Sequence, residues 1–173
     1  MEFWEVIEQR RSVRKFTSED VPSEIVRKIL HAAIRAPSAG NLQPWHFIVV
    51  RNPKVKRGLV SAAWGQGFIA EAPVVIVVCV EPGRSARRYG SRGSDLYCIQ
   101  DAAAATEHIL LAATALGYGG CWVGAFDEGA AASVLNLPRH LRPVAIIPIG
   151  KPASEPGART GRRPLEEVTS FID

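Results

Sequence analysis

The stretch Pro-Val-Val-Ile-Val-Val-Cys-Val, residues 73–80, determines how this chain folds. β-Branched residues dominate it, and no polar residue interrupts it. A strand with one face in water alternates apolar and polar residues, because successive side chains point to opposite faces. The missing alternation therefore predicts a strand that is covered on both faces.

Three further segments predict strands, at residues 45–50, 121–126 and 144–149. Apolar residues at helical spacing predict four further helices. A short helix begins at Phe3 and places Arg10 at its C-terminal end. The others run from Pro22 to Ala36, from Pro53 to about Trp64 and over residues 127–135. The Arg- and Gly-rich residues 84–94 predict a polar loop. Strands interleaved with helices predict an α/β or α+β sandwich.

A long helix is predicted over residues 95–116, with Gly117 as its C-terminal cap. Its sequence is apolar nearly all round, which requires burial on most of its circumference. At about 33 Å it is long for the core of a small domain. We therefore predict a homodimer with this helix in or near the interface.

Length and composition limit the class of protein. A chain of 173 residues, 47% apolar and 22% charged, fits one globular domain spanning residues 1–173. The net charge of +4 suits anionic ligands but lacks the dense cationic stripe of a nucleic-acid-binding protein. The N-terminus lacks the pattern of a signal peptide, and no apolar run could span a membrane. We predict a cytoplasmic protein.

Cysteine and histidine spacing argues against a metal site. Cys79, Cys98 and Cys121 are far apart and lie in apolar sequence, which predicts buried, reduced thiols. No pair among the four histidines has metal-ligand spacing. No P-loop motif is present, and residues 117–122 lack the third glycine of the dinucleotide fingerprint, which argues against a Rossmann site.

Three distant segments instead point to a ligand that carries a phosphate and a flat ring. They are Arg10-Arg11-Ser12-Val13-Arg14, Ala36-Pro37-Ser38-Ala39-Gly40-Asn41-Leu42-Gln43-Pro44-Trp45 and Arg162-Arg163-Pro164-Leu165-Glu166-Glu167. Guanidinium groups in the first and third can fork onto phosphate oxygens. Small residues in the second allow a backbone to lie against a ring. Taken singly, the first segment also fits a solvated helix end, the second an ordinary loop and the third a charged tail.

Taken together, the three segments resemble those of the FMN-dependent nitroreductase-like flavoproteins, specifically their short members. Residues 72–76, 97–101 and 121–126 (Cys-Trp-Val-Gly-Ala-Phe) extend the resemblance over essentially the whole chain. It implies an α+β fold, a three-layer α/β/α sandwich with a mostly antiparallel mixed sheet. It also implies a homodimer that binds two FMN molecules at its interface, with residues 151–173 forming an intertwined C-terminal arm.

The resemblance also implies residue roles. Arg10, Ser12 and Arg162 resemble contacts to the FMN phosphate and ribityl chain. Arg11 resembles another cofactor-contacting position, through its side chain or its backbone, and Arg163 belongs to the C-terminal cofactor-binding motif. Arg14 resembles the cation beside N1 and O2 of the flavin. The opposite subunit would supply Pro37, Ser38, Ala39 and Asn41, and the backbone of Gly124 and Ala125 would face N5 and the ring edge. No catalytic side chain is implied, because FMN performs the redox step.

The implied reaction transfers hydride from NADH or NADPH, by way of flavin N5, to a nitroaromatic, quinone or similar small acceptor, with ping-pong kinetics. Other flavin enzymes of this fold, such as dehalogenases, flavin-fragmenting enzymes and dehydrogenases, and a non-enzymatic FMN-binding module remain alternatives. The chain departs from the family pattern at Thr160, where a basic residue is usual, so that either Arg159 substitutes for it or the contact is missing. It also departs at Glu107, where a neutral amide is common. It also lacks the insertion that longer members use as a lid over the flavin, and residues 84–94 are the alternative cover.

Overall fold

A computed structural model describes residues 1–154 and 160–172 of the chain. Its centre is a four-stranded sheet with the order β1-β2-β4-β3. The strands are β1 (Trp45–Val50), β2 (Val74–Val80), β3 (Gly119–Gly120) and β4 (Arg142–Gly150). Every neighbouring pair is antiparallel.

Helices cover both faces of the sheet. Their bounds are α1 (Phe3–Gln9), α2 (Ser23–Ala33), α3 (Pro53–Ala62), α4 (Phe68–Glu71), α5 (Pro82–Arg92), α6 (Cys98–Ala115) and α7 (Glu128–Val134). One apolar core lies between the sheet and α2 with α6. The other lies between the sheet and α3, α4 and α7. The predicted three-layer α+β sandwich is confirmed.

Strand β2 divides its side chains between the two cores. Val74, Ile76, Val78 and Val80 enter the first core, and Val75, Val77 and Cys79 enter the second. All seven are fully buried. The prediction that residues 73–80 form a strand covered on both faces is therefore confirmed, because a strand with helices above and below has no face for a polar residue.

Helix α6 has the predicted burial but a later start. Only Gln100 and Ala115 of its residues are exposed, and Gly117 ends it with a left-handed φ of 80°. The predicted start at Asp95 is corrected, because residues 93–97 form a π-helical turn and the α-helix begins at Cys98. Helix α2 and the sheet provide much of its burial within one chain.

The predicted loop at residues 84–94 is wrong. These residues belong to α5 and to the π-helical turn of residues 93–97. Pro82 begins α5 at a position where a missing N–H costs nothing. Gly90, at φ 57° and ψ −145°, turns the chain, and Gly93 then lies so close to Ser85 that a Cβ would be 2.4 Å from the Ser85 carbonyl oxygen. Gly90 and Gly93, which are typical of a loop, here allow the chain to turn and to pack closely against Ser85.

The predicted strand at residues 121–126 is also corrected. The strand β3 that pairs with β4 ends before this segment, at Gly120, and within residues 121–126 Val123 forms one isolated bridge to Ile146. Cys121, Val123 and Phe126 are buried in the second core, whereas Gly124 and Ala125 are exposed. The apolar pattern of this segment reflects burial without continuous pairing.

The three cysteines are free and buried, as the sequence predicts. Among the described helices, none has both the length and the apolar character needed to cross a membrane.

Candidate functional site

The Arg10–Arg14 segment lies along the free edge of β3. Ser12 forms a parallel bridge with Gly120, and the N–H of Val13 donates to the Gly120 carbonyl at 3.0 Å. Gly119 permits this approach, since a Cβ there would be 2.4 Å from Cγ2 of Val13. Val13 is buried, while Ser12 and Arg14 on either side of it are exposed. The two glycines therefore fix the backbone that presents both polar side chains.

Arg10, Ser12 and Arg14 all act on one buried thiol. Burial raises the pKa of Cys121, and the charge of Arg14, hydrogen bonds with the Ser12 and Arg14 side chains and the charge of Arg10 oppose that rise. The structure therefore brings these three predicted residues together. Arg11 differs from them, because its guanidinium donates to the carbonyls of Glu8 and Arg10 at 2.5 Å and 3.0 Å.

An acidic residue of α6 pairs with Arg10. Nε of Arg10 is 3.7 Å from Oε1 of Glu107, and the two side chains are 22% and 45% exposed. An ion pair this open contributes little to stability. Its effect is to orient Arg10 and to place a negative charge beside a candidate phosphate contact.

Arg14 has no carboxylate partner among the described residues. Its guanidinium lies over the ring of Phe68, 5.9 Å from the centroid. An aromatic platform of this kind orients a guanidinium and leaves its N–H groups available. Two residues earlier in the chain, the side-chain amide of Gln66 donates to the Ala125 carbonyl at 3.0 Å. Residues 66–68 thus contact both the Arg10–Arg14 segment and the Gly124–Ala125 backbone.

Gln66 and Phe68 were not identified from the sequence. Neither belongs to a motif, and both lie in an ordinary stretch before a short helix. Their importance depends on α4 packing below the sheet edge, which no local pattern encodes.

The loop at residues 37–43, which contains Pro37, Ser38, Ala39 and Asn41, has an unusual backbone. Gly40, Asn41 and Gln43 have φ values of 56°, 55° and 50°. The left-handed region is unfavourable for most side chains, and Asn is among the residues that tolerate it best. The Ser38 hydroxyl accepts from the Gln43 N–H at 3.0 Å, and the Gln43 amide donates to the Asn41 side chain at 3.1 Å. These bonds hold the loop with Pro37 and Asn41 exposed.

Asp101 of α6 supports this loop from beneath. Its Oδ1 accepts the Ala39 N–H at 3.0 Å, whereas its Oδ2 is buried without a hydrogen-bond partner. Burial raises the pKa of Asp101, and the Ala39 hydrogen bond opposes the rise. The sequence offered a signal, since Asp101 is a charged residue inside an apolar helix.

The raised pKa of Asp101 predicts a pH-dependent stability difference. The folded state binds the Asp101 proton more tightly than the unfolded state, so the free energy of unfolding falls as pH rises from the unfolded pKa, about 3.9, to the folded pKa. Asp101→Asn keeps an acceptor for Ala39 and cannot ionise. We expect the melting temperature of this variant, relative to wild type, to increase with pH from about 4 upward.

Thermal melts at matched protein concentrations from pH 4 to 8 measure this difference. Asp101→Ala is the control, because it removes the Ala39 acceptor and lowers stability throughout the range. A difference between Asp101→Asn and wild type that stays constant with pH would contradict the prediction.

Arg162 and Arg163 lie in the exposed C-terminal segment. Arg162 donates to Thr160 and Gly161 at 3.0–3.2 Å, and Arg163 pairs with Glu167 at 3.3 Å. Within the described residues, neither contacts Arg10, Ser12 or Arg14 of the same chain. Arg159, the predicted substitute for a basic residue at Thr160, lies outside the described residues.

Comparisons with known proteins agree with this architecture. The chain is 36% identical to the NADH dehydrogenase of Thermus thermophilus over 92% of this chain and 91% of that protein. It is 27% identical to an NADPH-dependent oxidoreductase of Staphylococcus aureus over 95% and 71% of the two chains. The crystal structure of a nitroreductase family protein from Clostridium novyi NT superposes with a TM-score of 0.80 at 36% identity, covering 88% of this chain and 86% of that one.

These similarities define an α+β oxidoreductase fold. The nitroreductase family profile matches residues 7–68 and 60–151, which is most of the chain. The chain therefore belongs to the nitroreductase family.

Proposed function

We propose that this protein is an FMN-dependent oxidoreductase that takes electrons from NADH or NADPH and reduces a nitroaromatic, quinone or similar small acceptor. The arrangement of Arg10, Ser12 and Arg14 beside the Gly124–Ala125 backbone carries the proposal. It combines cationic and hydroxyl donors with an exposed backbone edge. Phe68 contacts Arg14, and Gln66 donates a hydrogen bond to the Ala125 carbonyl, so residues 66–68 contact both groups.

The residues present fit FMN. A phosphate with a charge of about −1.5 to −2 needs several donors, and a guanidinium without a carboxylate partner is suited to an anion. Arg10 and Ser12 offer a cation and a hydroxyl to the phosphate. Arg14 has no carboxylate partner within the described residues, which suits the negative charge that a reduced flavin ring carries near N1. When bound, FMN would supply hydride chemistry at N5 of its ring.

The protein's own groups would bind and orient the cofactor. Arg10, Ser12 and Arg162 would hold the phosphate and ribityl chain, with Arg11 and Arg163 supporting them. Arg14 would stabilise negative charge near N1. The Gly124–Ala125 backbone would contact the ring edge, and a partner's residues 37–41 would complete the site.

We also propose a homodimer in the cytoplasm, with the C-terminal arm crossing to the partner. The arm leaves Leu165, Val168, Phe171 and Ile172 between 56% and 99% exposed in one chain. Side chains of this size are rarely left so open together without a partner. An apolar groove of about 240 Å³, lined by residues of α1, α2 and α6, is the surface we assign to the partner's arm.

The decisive experiment combines absorption spectroscopy with mass determination. We expect a yellow protein of twice the 18.8 kDa chain mass that releases FMN on denaturation and is bleached anaerobically by NADH or NADPH. A colourless monomer that ignores added FMN would refute the proposal. Bound FMN that neither nicotinamide reduces would favour a binding module.

Steady-state kinetics provide a second test. The nicotinamide and the acceptor would occupy the same opening in turn, so we expect ping-pong behaviour with parallel double-reciprocal lines. Convergent lines would show that both substrates bind together.

A further inference from the structure

We propose that α5 carries a phosphate-binding surface for the nicotinamide substrate, formed by Arg84, Arg87, Arg88 and Arg92. This inference rests on the proposed function and specifies which chemical group of the electron donor the protein recognises. The four guanidiniums belong to the segment that replaces the predicted loop.

The first argument is position. Nε of Arg84 donates to the Leu42 carbonyl, and Nη1 of Arg88 donates to the Gly40 carbonyl at 3.4 Å. A Cβ at Gly40 would lie 2.6 Å from Oη of Tyr89 and 2.7 Å from Nη1 of Arg88, so the ends of both side chains lie against the Gly40 backbone. Helix α5 is therefore attached to the loop at residues 37–43, which we assign to the flavin site.

The second argument is charge. Arg84, Arg87 and Arg88 have i, i+3 and i, i+4 spacing, so their positive charges lie on neighbouring parts of the helix surface. All four arginines are exposed, and none forms an ion pair with a carboxylate in the described ranges. Like charges at this spacing destabilise a helix. A bound anion would relieve that repulsion, because a guanidinium fork matches phosphate geometry.

The third argument is preorganisation. The guanidinium of Arg88 lies 5.4 Å from the Tyr89 ring centroid, and that of Arg92 lies 5.3 Å from the Tyr97 ring centroid. The two rings pack edge to face at 5.2 Å, and Nε of Arg92 donates to the Tyr97 hydroxyl at 2.9 Å. Ring contacts of this kind restrict the side chains, which lowers the entropic cost of binding. The side chain of Arg87 has no hydrogen bond or ion pair in the described residues and is free to contact a ligand directly.

The tested variants are Arg87→Gln and Arg87→Gln/Arg88→Gln, with Arg57→Gln on α3 as the matched control for an exposed helix arginine. For the double variant we expect the KM for the nicotinamide donor to rise at least about tenfold, with kcat and FMN content close to wild type. A larger rise for NADPH than for NADH identifies the 2′-phosphate as the ligand. Equal rises identify the pyrophosphate that both donors share.

Calorimetry with adenosine 2′,5′-bisphosphate and AMP provides a readout that does not depend on turnover. The double variant should lose about tenfold or more in affinity for the bisphosphate, while Arg57→Gln should not. Unchanged donor KM and unchanged bisphosphate affinity would overturn the inference. A rise confined to the KM of an anionic acceptor, such as nitrobenzoate, would also overturn it. A wild-type protein without bound or reducible flavin would refute the proposed function itself.

Discussion

Gly119→Ala is expected to lower the free energy of unfolding by about 1–3 kcal/mol, because overpacking a well-packed contact has a cost of this size. The new Cβ would lie 2.4 Å from Cγ2 and 2.8 Å from Cβ of Val13. Atoms cannot approach so closely, so the Arg10–Arg14 segment must move away from β3. For a chain of this length the melting temperature should fall by about 2–4 °C per kcal/mol.

The same substitution should weaken cofactor binding. Val13 lies between Ser12 and Arg14, and its N–H bonds to Gly120, the neighbour of the substituted residue. A displacement that relieves the Val13 contact must also shift both polar neighbours. We therefore expect lower FMN affinity together with lower stability, measured by fluorescence titration and thermal melts at one protein concentration.

Two variants separate this steric effect from a general effect of replacing glycine. Gly83→Ala in α5 is the matched control, since a Cβ there meets nothing within 4 Å. Alanine in a helix should leave stability unchanged or slightly higher. Val13→Ala/Gly119→Ala removes the γ carbons from the contact and should be less destabilised than the sum of its single variants. Strict additivity, or an unaffected Gly119→Ala, would contradict the steric explanation.

The layer architecture was predictable because burial leaves a direct mark on composition. Residues 73–80 lack polar residues because both faces of the strand are covered. The apolar stretches at residues 102–105 and 109–113 belong to a helix that is covered on most of its circumference. The loop predicted at residues 84–94 was wrong for the opposite reason. Gly83, Gly90 and Gly93 usually indicate irregular structure, but here two of them permit a turn and a backbone contact inside a helical segment.

The candidate site was only partly accessible from the sequence. Clustered arginines and the small residues near Asn41 identified the Arg10–Arg14 segment and the loop at residues 37–43. Phe68, Gln66 and the partnership of Asp101 with Ala39 depend on which elements pack together. Glu107 departs from the family pattern, but no sequence pattern predicts its ion pair with Arg10, because that pair depends on how the N-terminal segment packs against α6.

Arg10→Ala and Arg14→Ala should weaken flavin binding in distinguishable ways. A charge-assisted hydrogen bond contributes about 1.5–3 kcal/mol, so each variant should lose roughly 10- to 150-fold in FMN affinity. Arg10 is assigned to the phosphate, so its loss should leave riboflavin binding nearly unchanged. Arg14 is assigned to the ring, so its loss should weaken FMN and riboflavin by similar factors. Arg57→Ala is the control and should change neither affinity.

The Arg10 result needs one further variant, because Arg10→Ala also leaves Glu107 without its cation. A freed carboxylate would repel a phosphate, which adds to the loss of the direct contact. Arg10→Ala/Glu107→Gln removes that repulsion and should recover part of the FMN affinity without changing riboflavin affinity. No recovery would show that the pair only orients Arg10.

Arg14 should also control the reduction potential of the bound flavin. A cation near N1 stabilises the negative charge of the reduced ring, so removing it should make the bound flavin harder to reduce. Anaerobic titration against a reference dye should give a lower midpoint potential for Arg14→Ala than for wild type, with Arg14→Lys between them because it keeps the charge but loses the planar fork. An Arg14→Ala protein with weaker FMN binding and an unchanged potential would contradict the assignment of Arg14 to the ring. If riboflavin affinity were also unchanged, Arg14 would instead belong with Arg10 at the phosphate.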